Sequence, residues 1–109
     1  MDDLKILQKT YDFYLDNYNV INKYPKSEKF TLQTETKSTM LKMIQLIIKA
    51  SKTRHKKPVL FEIDTELETL RILYRLAFDL KFLSKRRYEL NSRHLSEIGR
   101  LLGGWMRSC

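Results

Sequence analysis

Cysteine occurs once in this 109-residue chain, proline twice and glycine three times. A lone cysteine, Cys109, cannot form a disulfide framework, so a reducing compartment, the cytoplasm, is the expected setting. So little proline and glycine excludes a collagen-like chain and a Pro/Gly-rich disordered one. No apolar run approaches the roughly 18 residues needed to span a bilayer. The acidic start Met1-Asp2-Asp3 argues against a secretory signal. Strand signals are missing as well. Acidic residues are scarce beside basic ones: 13 Asp and Glu against 21 Lys and Arg leave a net charge of +8. That excess points to a polyanionic partner, nucleic acid before a membrane surface.

What the sequence has in abundance is helical period. Leu4, Leu7, Tyr11, Tyr14, Tyr18 and Ile21 recur at spacings of three and four, which predicts a helix over about 4–23 with that seam inward. Pro25 ends it, because the residue before proline avoids helical angles. Ser27 or Thr31 is a candidate cap for a second helix over about 28–52, with Phe30, Met40, Leu41, Ile44, Ile47 and Ile48 as its apolar face. The polar run Gln33 to Thr39 predicts that this helix starts no more than half buried. Pro58 suits the first turn of a third helix over about 58–84. That helix carries two stripes, Ile63-Leu67-Leu70-Tyr74-Ala77 and Leu73-Leu76-Leu80-Leu83, more apolar surface than two bundle neighbours cover. Tyr88, Leu95, Ile98, Leu102 and Trp105 give a fourth helix over about 86–107. Short connections between four such helices predict one all-α domain, an up-down-up-down four-helix bundle. Tyr11, Tyr14, Tyr18 and Tyr88, all at seam positions, are expected in the core rather than stacking on bases.

The positive charge is organised. Arg86, Arg93, Arg100 and Arg107 repeat every seven residues. With Leu95 and Leu102 at heptad position a, these arginines fall at f, directly away from the core. The column would run about 32 Å at 1.5 Å per residue, enough to follow several phosphates. Arginine binds phosphate in a two-pronged geometry. A second cluster, Lys49, Lys52, Arg54, His55, Lys56 and Lys57, surrounds the link between the second and third helices. Arg86 and Arg87 are expected to meet Lys26 and Lys29 at the other end of the bundle. Charge at both ends and along one side suits tracking of a nucleic-acid backbone rather than base reading.

All three glycines fall inside the last helix, in Gly99-Arg100-Leu101-Leu102-Gly103-Gly104-Trp105. Glycine inside a helix costs about 1 kcal/mol relative to alanine, so close approach by another backbone is the expected use. Gly103, Gly104 and Trp105, with Tyr74, Phe78 and Phe82, are the candidate interface residues. A catalytic reading is available from Arg87 and His94, seven apart on one helical face. There a histidine acts as acid or base and an arginine holds phosphate, the loose spacing of HEPN-type four-helix RNases. No second acid or base accompanies them, so no catalytic residue is expected. His55 has no cysteine or carboxylate at ligand spacing, so no metal or other cofactor is expected.

Three segments carry a family resemblance: Tyr24-Pro25-Lys26-Ser27-Glu28-Lys29-Phe30-Thr31-Leu32, Asp79-Leu80-Lys81-Phe82-Leu83-Ser84 and the glycine-tryptophan tail. In order and spacing the chain resembles the accessory variability determinant (Avd) proteins of diversity-generating retroelements. The superfamily includes four-helix proteins of 23S ribosomal RNA intervening sequences, which have no polymerase partner. The resemblance implies a homopentameric barrel that binds RNA and DNA without strong sequence specificity and associates with the retroelement reverse transcriptase. It implies no enzymatic activity of the chain's own.

Overall fold

The structure, a computed structural model, describes residues 2–109. Four helices carry the chain: α1 (Asp2–Asn22), α2 (Leu32–Lys52), α3 (Lys57–Asp79) and α4 (Lys85–Arg107). There is no strand among the described residues. Each helix packs on the next and α4 returns to α1, while the backbones of the diagonal pairs α1–α3 and α2–α4 stay apart. Neighbours run antiparallel. Lys37 at the start of α2 stands over Tyr18 at the end of α1, and Arg87 at the start of α4 reaches Asp16 late in α1.

The buried face of α1 is Ile6, Thr10, Phe13, Asn17 and Ile21, continued by Tyr24. The seam expected from the sequence is therefore rotated: Leu4, Tyr11 and Tyr18 are exposed, at 61, 55 and 46%. Leu7 and Tyr14 are half-buried at the edge, as is Tyr88 on α4. The cause is polar residues inside the real seam. Asn17 and Asn91 face each other in the core, and Asn91 Nδ2 donates to Asn17 Oδ1 at 2.7 Å, while Asn17 Nδ2 donates to the Phe13 carbonyl. These bonds offset part of the cost of burying the two amides, while Asn91 Oδ1 and the buried Thr10 hydroxyl on the same seam have no hydrogen-bond partner among the described residues.

Proline 25 stops α1 as expected, but the next helix begins at Leu32 rather than near 28. Residues 26–28 form a 3-10 turn, and the Thr31 hydroxyl donates to the Glu28 carboxylate instead of capping α2. Phe30, expected inward, is 84% exposed on this turn. The polar start of α2 is no more than half buried, as expected: Thr34, Glu35 and Ser38 are exposed, and only Thr36 and Thr39 are fully inside. Thr36 and Thr39 are inside because their hydroxyls donate to the carbonyls of Leu32 and Glu35, which satisfies them without solvent. Met40, Met43, Leu46, Ile47 and Ala50 complete the inner face, leaving Leu41 and Ile48 outside.

The stripe Ile63-Leu67-Leu70-Tyr74-Ala77 of α3 is the core stripe, with no member above 1% exposed. Tyr74 meets Phe13 edge-on at 5.7 Å, joining the diagonal helices through the centre. Burial pushes the Tyr24 and Tyr74 phenols well above their ordinary range, so both stay protonated.

The third helix ends at Asp79, five residues earlier than its period predicts. Lys81 adopts φ 68°, Phe82 N–H donates to the Ala77 carbonyl at 2.8 Å and Lys81 N–H to Phe78 at 2.9 Å. These two bonds define a Schellman stop, which normally uses glycine at the left-handed position. Phe82 then turns back onto Tyr24, with ring centroids 5.8 Å apart. Lysine pays the Cβ penalty at that position, so Lys81→Gly should stabilise the chain by about 0.5 to 1 kcal/mol in chemical denaturation. A loss of stability would mean the lysine side chain itself is needed. Ser84 caps α4, its Oγ accepting from Arg87 N–H at 3.1 Å.

Candidate nucleic-acid interface

Along α4 the inward residues are Asn91, Leu95, Ile98, Leu102 and Trp105. The outward positions follow from helical geometry, and Arg86, Arg93, Arg100 and Arg107 are all exposed. None of the four forms an ion pair among the described residues. The neighbouring carboxylates are engaged elsewhere. Lys9 bonds to Glu97, and that hydrogen bond and charge hold the Glu97 carboxyl below its usual range. Glu89 lies 4.0 Å from Lys85. The column thus presents four exposed arginines, of which Arg107 lays its guanidinium over Gly103 and Gly104.

Arg87 and His94 belong to a different face. Arg87 Nη1 lies 2.7 Å from Asp16 Oδ2, and the His94 ring meets Phe13 edge-on at 6.2 Å. Both are half-buried, with the fully buried Asn91 between them in sequence. The α1–α4 seam therefore uses both side chains, and Arg87 has its charge met in place.

At the far end, the α2–α3 link and the end of α4 come together around an open cavity of about 620 Å³. Arg54, His55, Lys57, Pro58, Trp105 and Ser108 are among its walls. Lys49, Lys52, Arg54 and Lys57 are exposed. Lys56 is not free in the same way: its Nζ donates to the carbonyls of Ala50 and Thr53, each at 2.8 Å, closing the C-terminal end of α2. Lys26 and Lys29 are exposed at the opposite end, where Lys29 Nζ sits 5.6 Å from the Phe30 ring centre. The basic link and the tryptophan tail share an end because successive helices alternate in direction.

The candidate interface residues divide. Tyr74 is interior, at 1% exposure, so it cannot present a surface to a partner. Phe78 stacks on Tyr88 with centroids 4.6 Å apart, and Trp105 is 6% exposed. The one glycine that a neighbouring side chain crowds is Gly99, where an added Cβ would lie 3.0 Å from Arg71 Nη2 and 3.4 Å from Leu67. Arg71 Nη2 there donates to the Leu95 carbonyl. A Cβ at Gly103 or Gly104 would meet only Arg107, at 3.4 and 3.9 Å. Gly103→Ala should therefore raise the thermal stability of the monomeric chain by about 0.5 to 1 kcal/mol. A loss would show that another backbone occupies that space.

The second stripe expected on the third helix is partly uncovered: Leu76, and Leu80 just past the end of α3, are exposed, as are Phe61 and Ile72, whereas Leu73 is half-buried and Leu83 buried. The exposed apolar residues Leu4, Tyr11, Leu15, Tyr18, Leu41 and Ile48 on α1 and α2 do not follow from the period, because on α1 the outer row is the more regular of the two. No helix of the described residues is long and apolar enough to cross a membrane.

A family model described as bAvd-like matches residues 4–109, nearly the whole chain. No curated protein matches it.

Proposed function

The chain belongs to the bAvd-like family, and from that premise we propose that it is a non-enzymatic accessory protein of a diversity-generating retroelement. In this reading it holds RNA and DNA by their phosphates, associates with the reverse transcriptase and supports cDNA synthesis. The observation that carries the nucleic-acid part is the exposed column Arg86, Arg93, Arg100 and Arg107 on the outward face of α4, which forms no ion pair among the described residues. Guanidinium groups in a row along one helix face match a series of phosphates and carry no base-reading geometry. Assembly into a homopentamer belongs to the same reading, because five copies at +8 each concentrate a strong positive field.

A nuclease role is the weaker reading, since Arg87 is bound to Asp16 and His94 packs on Phe13. Purified protein should leave labelled RNA intact with or without divalent metal, and His94→Ala should change nothing. RNA cleavage that disappears in that variant would reverse the assignment. The accessory role itself is tested by co-expression with a reverse transcriptase encoded beside the gene. The two should co-elute from gel filtration at physiological salt. Separate elution, or the lack of any such neighbouring enzyme, would remove the polymerase partner.

A further inference from the structure

The cavity between the α2–α3 link and the end of α4 has walls of two kinds. The Trp105 indole and the Pro58 ring are apolar, while Arg54, His55 and Lys57 are basic and exposed. Among the described residues no Asp or Glu side chain lines it. At about 620 Å³ it falls within the roughly 300–1,000 Å³ of small-molecule sites. Lys56 also borders it, but its ammonium is held by the Ala50 and Thr53 carbonyls. Arg54, His55 and Lys57 form no ion pair among the described residues, so the charges of Arg54 and Lys57 stand unmatched. α3 begins in the same wall with no side-chain cap and no acidic residue in its first turn, so the positive end of its dipole adds to them. A carboxylate ending the chain at Cys109 would still leave the lining net positive, with Arg54, Lys56 and Lys57 against it.

An apolar wall beside grouped cations suits a ligand with a flat apolar body and concentrated negative charge. A nucleotide with a terminal phosphate has both. A phosphate monoester carries about 1.5 to 2 negative charges at neutral pH, whereas a phosphodiester within a strand carries about one. Guanidinium and ammonium groups gathered at one place therefore favour the terminal group, while arginines spaced along a helix suit the internal ones. The column on α4 ends at Arg107, just beyond Trp105, so a strand laid along it arrives at this end of the bundle.

We infer that this cavity binds a nucleotide through its terminal phosphate, either the end of an RNA or DNA strand or a free nucleoside monophosphate. Arg54 and Lys57 hold the phosphate, His55 adds a ring N–H, and the base and sugar lie against Trp105 and Pro58. The site rests on the phosphate-binding reading and adds to it a discrete position for one nucleotide.

Trp105 is the only tryptophan of the chain, so its fluorescence reports occupancy without a label. Adenosine monophosphate (AMP) at physiological salt should change that fluorescence saturably, as a single site. Adenosine and inorganic phosphate, each lacking half of the ligand, should bind about tenfold more weakly or worse. Arg54→Gln with Lys57→Gln should weaken AMP by about tenfold or more, whereas Arg93→Gln with Arg100→Gln should leave it unchanged. All four sites are exposed, and circular dichroism checks that helicity is kept. A short RNA whose 5′-phosphate form displaces AMP better than its 5′-hydroxyl form identifies a strand end as the occupant. Equal displacement by the two forms identifies the free nucleotide. No saturable change with AMP, or equal binding of AMP and inorganic phosphate, overturns the inference. So does an AMP affinity that falls equally in both double variants, since bulk charge would then account for it. RNA binding without AMP binding removes the pocket and leaves the phosphate-binding column standing, while AMP binding without RNA binding keeps the pocket and removes the column.

Discussion

Trp105→Ala should lower the stability of the chain by about 3 to 5 kcal/mol, the range for deleting a large aromatic from a packed interior. Trp105 is 6% exposed and continues the inner row Leu95, Ile98 and Leu102 to the end of α4. It also forms a wall of the cavity beneath the α2–α3 link, so its removal enlarges a space already open rather than letting neighbours close in. A small domain is stabilised by only about 5 to 15 kcal/mol in total, so this variant should approach the threshold for folding. Urea denaturation followed by circular dichroism reads the loss. Phe30→Ala is the contrast: that ring is 84% exposed, and its loss should stay within about 0.5 kcal/mol. A Trp105→Ala cost below about 1 kcal/mol would mean that the end of α4 contributes little to the bundle.

The second large effect is on binding. Each phosphate contact contributes about 0.9 to the slope of log affinity against log salt, so Arg93→Gln with Arg100→Gln should flatten that slope by up to about 1.8. Both residues are exposed and make no ion pair among the described residues, so folding stability should change by less than about 0.5 kcal/mol. The link variant Arg54→Gln with Lys57→Gln should act in the same direction, and the two effects should add if the clusters bind independently. Lys56 is deliberately absent from that variant, because its ammonium closes the end of α2 and its loss acts on folding. If the arginine pair can be replaced with no change in slope, the column does not touch phosphate.

Much of the fold was legible in the sequence where period and punctuation agree. Pro25 and Pro58 place the end of α1 and the start of α3, and the stripe from Ile63 to Ala77 is the core stripe of α3. The heptad spacing of the arginines on α4 likewise predicts their exposure, because f positions lie opposite a and d. What was not legible depends on pairing between distant residues. Nothing local marks Asn17 as a core residue. It is buried beside Asn91, 74 positions away, whose amide it meets, on the same inner row as Ile6, Phe13 and Ile21. The Schellman stop was hidden because Lys81 occupies the position where glycine usually advertises it. Within the chain the crowded glycine is Gly99, fixed by Arg71 from the neighbouring helix, and only Arg107 stands near Gly103 and Gly104. Lys56 reads as one more loop lysine until the carbonyls of Ala50 and Thr53 are placed around its ammonium.

The central proposal is that this +8 bundle holds nucleic acid through phosphates. Its most direct test is the affinity of the unaltered protein for mixed-sequence RNA and DNA, titrated from low to physiological salt. The account predicts binding that weakens log-linearly with salt, with a slope steeper than about −2, and little difference between unrelated sequences of equal length. A slope near zero, or affinity confined to one sequence, would contradict it.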